Sequence, residues 1–154
     1  MNEKWMRLKA AITAAATAVT ALLGWKGAML LVWVGVMLLD YLSGTLAACR
    51  EGQWSSAAAR QGLWHKGGMI LVVTAAAISD WVLLVWSQHM PLGIRWTGLI
   101  LPLVLVWYIL TELGSILENA VKMGARVPEF LRKLLKAGTA LTDAAGAGIA
   151  DELK

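Results

Sequence analysis

Four apolar segments, separated by short polar or glycine-containing stretches, dominate the sequence. They cover residues 10–25, 27–48, 67–87 and 97–119. At 1.5 Å per residue, each of the last three forms a helix about 30 Å long, which matches the hydrocarbon core of a bilayer. The pattern predicts an all-α membrane protein with three to four transmembrane helices.

The first apolar segment is shorter than the others and rich in Ala and Thr. It is long enough to cross a bilayer only if Trp5 to Leu8 join the helix; otherwise it lies in the membrane interface. The basic stretch at residues 1–9, followed by apolar residues, also looks like a signal peptide. Because further spans follow, we expect a retained first helix.

Composition supports the membrane interpretation. The 154 residues are 58% hydrophobic and 16% charged, and the mean hydropathy is +0.63, outside the usual range of soluble domains. The net charge of +4 comes without a basic face interleaved with aromatics, so we predict no nucleic-acid partner and a preference for the anionic lipid surface. Cys49 is the single cysteine, which excludes an intrachain disulfide.

The basic residues predict the orientation. If all four segments cross, twelve Lys and Arg residues lie on one side and only Lys26 and Arg95 on the other. The positive-inside rule then places both termini in the cytoplasm; if the first segment does not cross, the N-terminus moves outside. Several tryptophans match an aromatic belt near the predicted span ends, namely Trp5, Trp25, Trp64, Trp86 and Trp96.

Residues 120–154 form a basic tail in which a short amphipathic helix is predicted. Pro128 suits the first turn of that helix. Apolar and basic positions alternate over Phe130, Leu131, Arg132, Lys133, Leu134, Leu135 and Lys136. Two interpretations stay open, a helix lying on the inner leaflet and a solvated tail that only fixes topology. We expect the Ala- and Gly-rich last fifteen residues to be mobile.

No enzyme motif is present. The sequence has no glycine-rich phosphate loop, no zinc-protease His-Glu-x-x-His helix and no Gly-x-Ser-x-Gly elbow. His65 and His89 each lack a carboxylate or second histidine within local helical reach. We therefore predict no catalytic residue, no cofactor and no metal site.

Carboxylates inside the apolar spans are the residues that call for a function. An ionised Asp near the centre of a membrane helix costs about 2.5 to 3.5 kcal/mol on insertion scales. Asp40 and Glu112 lie at similar depth, roughly 10 to 12 Å from the cytoplasmic edge of their spans. Asp80 falls in the opposite half of its span and cannot meet them unless that helix shifts.

Two helix faces are polar. On the fourth span Tyr108, Glu112, Ser115 and Asn119 form one stripe, with Glu118 alongside; on the second span the face comprises Asp40, Ser43, Gly44 and Ala47. Such faces turn away from lipid, toward other helices or water. They either join helices within one subunit or face other subunits. With the small-residue row of Ala10, Ala14 and Ala18, they predict a homo-oligomer.

Taken in order, several blocks resemble the phage holin and toxin-secretion holin family. These blocks are "LDYLSGTLAA" at residues 39–48, "GLWHKGGMILVV" with a basic residue at the mouth of the third span, Asp80 late in that span, and "YILTELGSILENAVKMGARVPEFLRKLL". The resemblance covers roughly residues 31–135. The matching positions are Asp40, Ser43, Gly44, Lys66, Asp80, Glu112, Ser115, Glu118, Asn119 and Pro128.

The resemblance implies a small protein that assembles in the cytoplasmic membrane of a bacterial host and opens lesions at a set time. Its functional partner would be an endolysin, or an exported toxin without a signal peptide, with no stable contact to either. We expect Asp40 and Glu112 to be neutral before opening and ionised once wetted. Two alternatives remain: a small ion or proton channel or transporter, and an antiholin or structural membrane partner.

Overall fold

The protein is an all-α molecule in the residues that the structure describes, as the sequence predicts. The computed structural model describes residues 3–89 and 96–152. Its helices are α1 (Glu3–Leu23), α2 (Trp25–Arg50), α3 (Ser56–His89), α4 (Ile100–Lys122) and α5 (Glu129–Glu152). The first four are long and apolar enough to cross a membrane, so this is a multi-pass membrane protein. Two residues of the predicted charge distribution, Arg95 and Lys154, lie outside the described ranges.

Helices α1 and α3 begin at least one helical turn before the apolar pattern indicates. Helix α1 starts at Glu3 and includes Trp5 to Leu8, which makes it 21 residues long. Helix α3 starts at Ser56 rather than near residue 67, and the connection from α2 shrinks to residues 51–55. Ser55 caps α3 by accepting the Ala58 N–H at 3.1 Å. Hydropathy marks the part of a helix that suits hydrocarbon, and the polar first turns of α3 lie outside that part.

Helices α1 and α2 form a tight hairpin. Gly24 alone separates them and adopts a positive φ of 59°, which glycine accommodates without strain. A side chain at Gly27 would collide with the Val19 carbonyl, so glycine is what allows the two helices to approach closely. None of the residues of α1 is buried, and its outer surface is left for lipid or another subunit.

The core of the subunit lies between α2, α3 and α4. Its apolar residues are Trp33, Met69, Val73, Ala76, Leu101 and Leu105. Contacts at two levels, Trp33 with Tyr108 and Ser43 with Asn119, show that α2 and α4 run parallel. Helix α3 runs antiparallel to α4, because Lys66 meets Glu112 and Asp80 meets Ile100. Helix α4 therefore contacts both α2 and α3 along the core, whereas α1 contacts α2.

Helix α5 packs antiparallel along α4. A Cβ at Gly138 would come within 2.8 Å of Leu110, and a cleft farther along is lined by Ile100 and Ile149 together. The helix reaches Glu152, well beyond the short segment predicted, because alanines support helix through the end that we expected to be mobile. Its contact with α4 is not part of either sequence-based interpretation of the tail.

Candidate functional site

A buried lysine joins three helices near the middle of the bundle. Lys66 of α3 donates from Nζ to Asp40 Oδ2 of α2 at 2.7 Å and to Glu112 Oε2 of α4. Lys66 is 8% exposed and Glu112 only 3%. A buried charge of this kind persists only where it is paired and hydrogen-bonded. The structure thus brings the two carboxylates of similar predicted depth onto a single ammonium group.

An amide and a hydroxyl complete this site. Asn119 Nδ2 donates to Ser43 Oγ at 3.0 Å and to Asp40 Oδ1 at 3.3 Å. Ser43 Oγ in turn donates to the Asp40 carbonyl oxygen at 3.0 Å. We call the five residues Asp40, Ser43, Lys66, Glu112 and Asn119 the lysine cluster. Both oxygens of the Asp40 carboxylate are thereby engaged.

The position of Lys66 differs from the predicted one. The apolar pattern puts it at the mouth of the third span, whereas α3 extends ten residues before it, from Ser56. Lys66 consequently lies about 15 Å along its helix, level with the carboxylates. With all three groups ionised, the ammonium and two carboxylates carry a net charge of −1, and one proton on a carboxylate makes the cluster neutral. The expected neutrality of both Asp40 and Glu112 stays a prediction.

A cleft of about 260 Å³ opens beside the lysine cluster, between α2, α4 and the start of α3. Its lining includes Asp40, Gly44, Lys66, Glu112 and Ser115. A Cβ at Gly44 would lie 3.4 Å from Asn119 Nδ2, which is van der Waals contact, so α2 and α4 approach each other closely at this position. Ser115, from the predicted stripe, reaches this cleft. Charged groups of the membrane-spanning helices therefore border a space into which water fits.

Asp80 forms a second polar site at the other end of α3. Its Oδ1 accepts hydrogen bonds from Trp96 Nε1 and from the Ile100 N–H, both at 3.0 Å, and its Oδ2 accepts from the Leu101 N–H at 2.9 Å. Asp80 is 6% exposed. We call Asp80, Trp96, Ile100 and Leu101 the aspartate clasp. Asp80 stays apart from Asp40 and Glu112, as its predicted depth requires.

Two predicted site residues lie away from both polar sites. Glu118 is exposed and lines a cleft between α4 and α5 that also contains Arg132 and Lys136. Pro128 is exposed and directly precedes α5, where its carbonyl oxygen accepts the Leu131 N–H at 3.2 Å. Both residues lie near the connection between α4 and α5, outside the lysine cluster and the aspartate clasp.

Sequence reasoning missed two residues that support the aspartate clasp. Trp96 fits the predicted aromatic belt, yet its indole N–H is bound to Asp80. Lys26 enters the prediction only as a positive charge, yet its Nζ donates to the Gly98 carbonyl oxygen at 2.7 Å. The sequence carried no signal for this bond, because the predicted span begins at Thr97 and only the structure shows that α4 starts at Ile100 with Leu99 as its N-cap residue.

The chain is similar to known proteins along most of its length. The profile of the bacteriophage holin family matches residues 17–139. An uncharacterized protein of Halalkalibacterium halodurans is 33% identical over 133 residues, which are 86% of this chain and 93% of the relative. An uncharacterized 14.9 kDa protein in the nagH 3′ region of Clostridium perfringens is 28% identical over 84% of this chain and 90% of its own length.

A second relative from Clostridium perfringens, also uncharacterized, is 32% identical over 98 residues, and the match spans 64% of this chain and 65% of that protein. No solved structure matches the chain. The family match covers the lysine cluster, the aspartate clasp and the start of α5, and it agrees with the resemblance carried by the sequence blocks. With four helices that can cross a membrane and a family profile matched over most of its length, this chain belongs to the bacteriophage holin family.

Proposed function

We propose that this protein is a holin that oligomerises in the bacterial cytoplasmic membrane and opens lesions at a set time. The lesions release an endolysin, or a toxin or enzyme without a signal peptide, toward the cell wall. The observation that carries the proposal is the lysine cluster, in which three membrane-spanning helices hold one cation and two carboxylates away from lipid. Family membership supports the same function.

The lysine cluster can exist in two environments. In the packed subunit the ammonium is paired with both carboxylates, which offsets part of the cost of about 2.5 to 3.5 kcal/mol for a lone charge at the membrane centre. In an aqueous opening, water replaces those partners and the same residues become a polar lining. Cooperative assembly would supply the interface energy that moves the subunits from the first arrangement to the second.

The membrane potential offers a trigger for this change. A charge that moves across the full membrane exchanges about 2.3 kcal/mol per 100 mV. The lysine cluster contains three groups that can carry charge, and an inside-negative potential opposes the movement of their net charge of −1 toward the cytoplasmic surface. Loss of the potential would then favour the open arrangement and make opening abrupt.

The positive-inside distribution supports an arrangement with the N-terminus in the cytoplasm, while the antiparallel packing of α5 along α4 carries the end of α5 toward the opposite side. In this arrangement Arg50, Lys122 and the start of α5 lie at the cytoplasmic surface. The basic residues at the start of α5 would meet anionic lipid headgroups there. Oligomers would form through helix surfaces left free in the subunit, and α1 offers such a surface because none of its residues is buried.

The test is lysis timing in a bacterium that also expresses a cytoplasmic endolysin. Glu112→Gln and Asp40→Asn should shift the time of abrupt loss of viability and membrane potential, because both alter the charge balance around Lys66. Glu118→Gln is the matched control, since Glu118 is exposed and outside the lysine cluster. Wild-type timing in both cluster variants would exclude the role proposed for the cluster.

The same experiment separates the alternative functions. Rapid lysis of the culture supports the holin. Ion flux without release of endolysin supports a small channel, an activity for which the charged cleft of about 260 Å³ is the relevant feature. A silent culture, or delayed lysis when a second holin is present, supports a structural partner or an antiholin.

A further inference from the structure

The start of α4 depends on another helix for its capping. The first N–H groups of an α-helix have no partner within that helix. In α4 the N-cap residue is Leu99, which makes no side-chain capping bond. In a membrane an unpaired backbone N–H costs several kcal/mol, because water is not available to replace the missing acceptor.

Every N–H of the first turn of α4 is accounted for. Asp80 of α3 accepts the Ile100 N–H at 3.0 Å and the Leu101 N–H at 2.9 Å, one with each carboxylate oxygen. Pro102 has no N–H, and the Leu103 N–H reaches the Leu99 carbonyl oxygen at 3.2 Å. The negative carboxylate also lies at the positive end of the helix dipole. Asp80 therefore caps the N-terminus of α4 although it belongs to a different helix.

The geometry around Gly98 holds the aspartate clasp in place. Gly98 adopts a φ of 77°, and a Cβ there would lie 3.6 Å from Asp80 Oδ2 while colliding with Lys26 Nζ. Lys26 binds the Gly98 carbonyl oxygen, which ties the beginning of α2 to the same turn. The turn before α4 is thus fastened to both α2 and α3.

The buried face of α3 links the aspartate clasp to the lysine cluster. Its buried residues are Lys66, Met69, Val73, Ala76 and Asp80, at spacings of three, four, three and four. This is the heptad pattern of a helix-helix seam. A charged residue closes each end of the seam, 14 positions or about 21 Å apart. A shift of α3 along α4 cannot occur without breaking a polar contact at both ends.

We propose that Asp80 is a positioning residue that sets the register of α3 against α4, so that Lys66 reaches Glu112. A polar residue at a seam position is a well-attested means of fixing register. The effect of Asp80 on lysis timing rests on the proposed holin function; its effect on register does not. Without the aspartate clasp, only the lysine cluster resists a shift of α3 along α4. The cluster then separates more easily, and opening begins earlier.

The first experiment measures hydrogen exchange of the full-length protein in bilayer discs. In the wild type, the Ile100 and Leu101 amides should be protected although they lie in a first turn, whereas the Phe130 amide in the first turn of α5 should exchange freely. Asp80→Asn should speed exchange at Ile100 and Leu101 by about tenfold or more, as expected for loss of a charged acceptor. Equal exchange at the starts of α4 and α5 in the wild type would overturn the proposal without any variant.

The second experiment tests whether Asp80 affects the contact between Lys66 and Glu112. A double-mutant cycle of Lys66→Met and Glu112→Gln measures the coupling between these residues from unfolding in micelles, first with Asp80 present and then with Asn at position 80. The coupling free energy between Lys66 and Glu112 should be smaller in the Asp80→Asn background. An unchanged coupling free energy would show that Asp80 only caps α4 and does not set the register of α3. Glu118→Gln, a charge removal at an exposed site on α4, should leave the coupling intact.

Lysis timing distinguishes failure of this inference from failure of the holin function. Asp80→Asn, co-expressed with an endolysin, should lyse the culture earlier than the wild type. If the wild type itself does not lyse cells, the holin function fails while the exchange and coupling results stand. If the wild type lyses and Asp80→Asn keeps wild-type timing, the role of Asp80 in setting the moment of opening is excluded.

Discussion

The lysine cluster and the aspartate clasp solve the same problem, a charge inside a membrane protein, in different ways. In the lysine cluster, side chains from α2, α3 and α4 satisfy one another. In the clasp, a carboxylate satisfies backbone N–H groups at the start of a helix. Water can replace every partner in the lysine cluster once the cluster is wetted. The N–H groups of α4 have no substitute acceptor as long as that end stays in hydrocarbon.

This difference separates two tasks. A network of side chains can change partners while each helix stays intact, so the lysine cluster suits a rearrangement. A cap on a helix start must persist for the helix to keep its first turn, so the aspartate clasp suits a fixed point. The heptad face of α3 connects the two, and we expect variants to affect them unequally.

The largest expected effect is from Lys66→Met, which leaves the Asp40 and Glu112 carboxylates buried without their cation. Breaking a buried ion pair by removing one partner costs about 3 to 5 kcal/mol, measured as the free energy of unfolding in mixed micelles. Adding Asp40→Asn and Glu112→Gln to this variant should recover much of that loss, because no unpaired charge then remains. A loss below about 1 kcal/mol, typical of an exposed pair, would mean that the lysine cluster is open to water.

Gly98→Ala tests the aspartate clasp through its backbone. The positive φ of Gly98 disfavours alanine by about 1 to 2 kcal/mol, and the added Cβ displaces Lys26. We expect a loss of stability together with faster amide exchange at the start of α4. Gly35→Ala is the control, since a Cβ there meets nothing within 4 Å and alanine favours helix. Equal effects of the two variants would show that the turn at Gly98 is not constrained.

Asn119→Ala should have a smaller effect on the lysine cluster than Lys66→Met. The variant removes the hydrogen bonds to Ser43 and Asp40, and bonds of this kind between membrane helices contribute about 0.6 to 1.7 kcal/mol. Thr45→Val is the control because the Thr45 hydroxyl binds only within α2, to the Tyr41 carbonyl oxygen. If Asn119→Ala destabilises the protein as much as Lys66→Met, the amide rather than the lysine holds the cluster together.

Lys133→Met should have the smallest effect. Lys133 and Glu129 form an ion pair at 2.9 Å, close to the 2.7 Å of the Lys66–Asp40 pair, but both side chains are at least 75% exposed. Exposed pairs at this helical spacing contribute about 0.3 to 0.5 kcal/mol. The variant should therefore unfold almost as the wild type does. A large loss would indicate that this face of α5 is covered in the protein.

The lysine cluster could be predicted in part. Helical rise is constant, so residue numbers place Asp40 and Glu112 at the same depth, and helical period places Ser43 and Asn119 on the faces that meet. The place of Lys66 could not be obtained in this way. Hydropathy shows where a helix suits hydrocarbon but not where it begins, and α3 begins ten residues before its lysine.

The aspartate clasp was less accessible to prediction. Its acceptor, Asp80, stands out as a carboxylate in an apolar run, but its donors are two backbone N–H groups that no residue type announces. Trp96 has the position of an interfacial tryptophan, and the sequence does not show that its indole N–H also binds Asp80. The packing of α5 along α4 was not predicted for a similar reason: amphipathicity shows that one face of a helix is apolar but not what covers that face.

By itself, the sequence determined the class of this protein. Long apolar segments with few charges require helices that satisfy their own backbone in lipid, and the polar faces had to turn inward. Tertiary structure alone decided the pairing, namely which cation lies between Asp40 and Glu112 and which helix start Asp80 caps. The physical reason is that the free-energy cost of placing a residue in the membrane depends mainly on its own side chain, so it can be estimated from the sequence. A bond between residues tens of positions apart depends on the register of two helices, which only their packing sets.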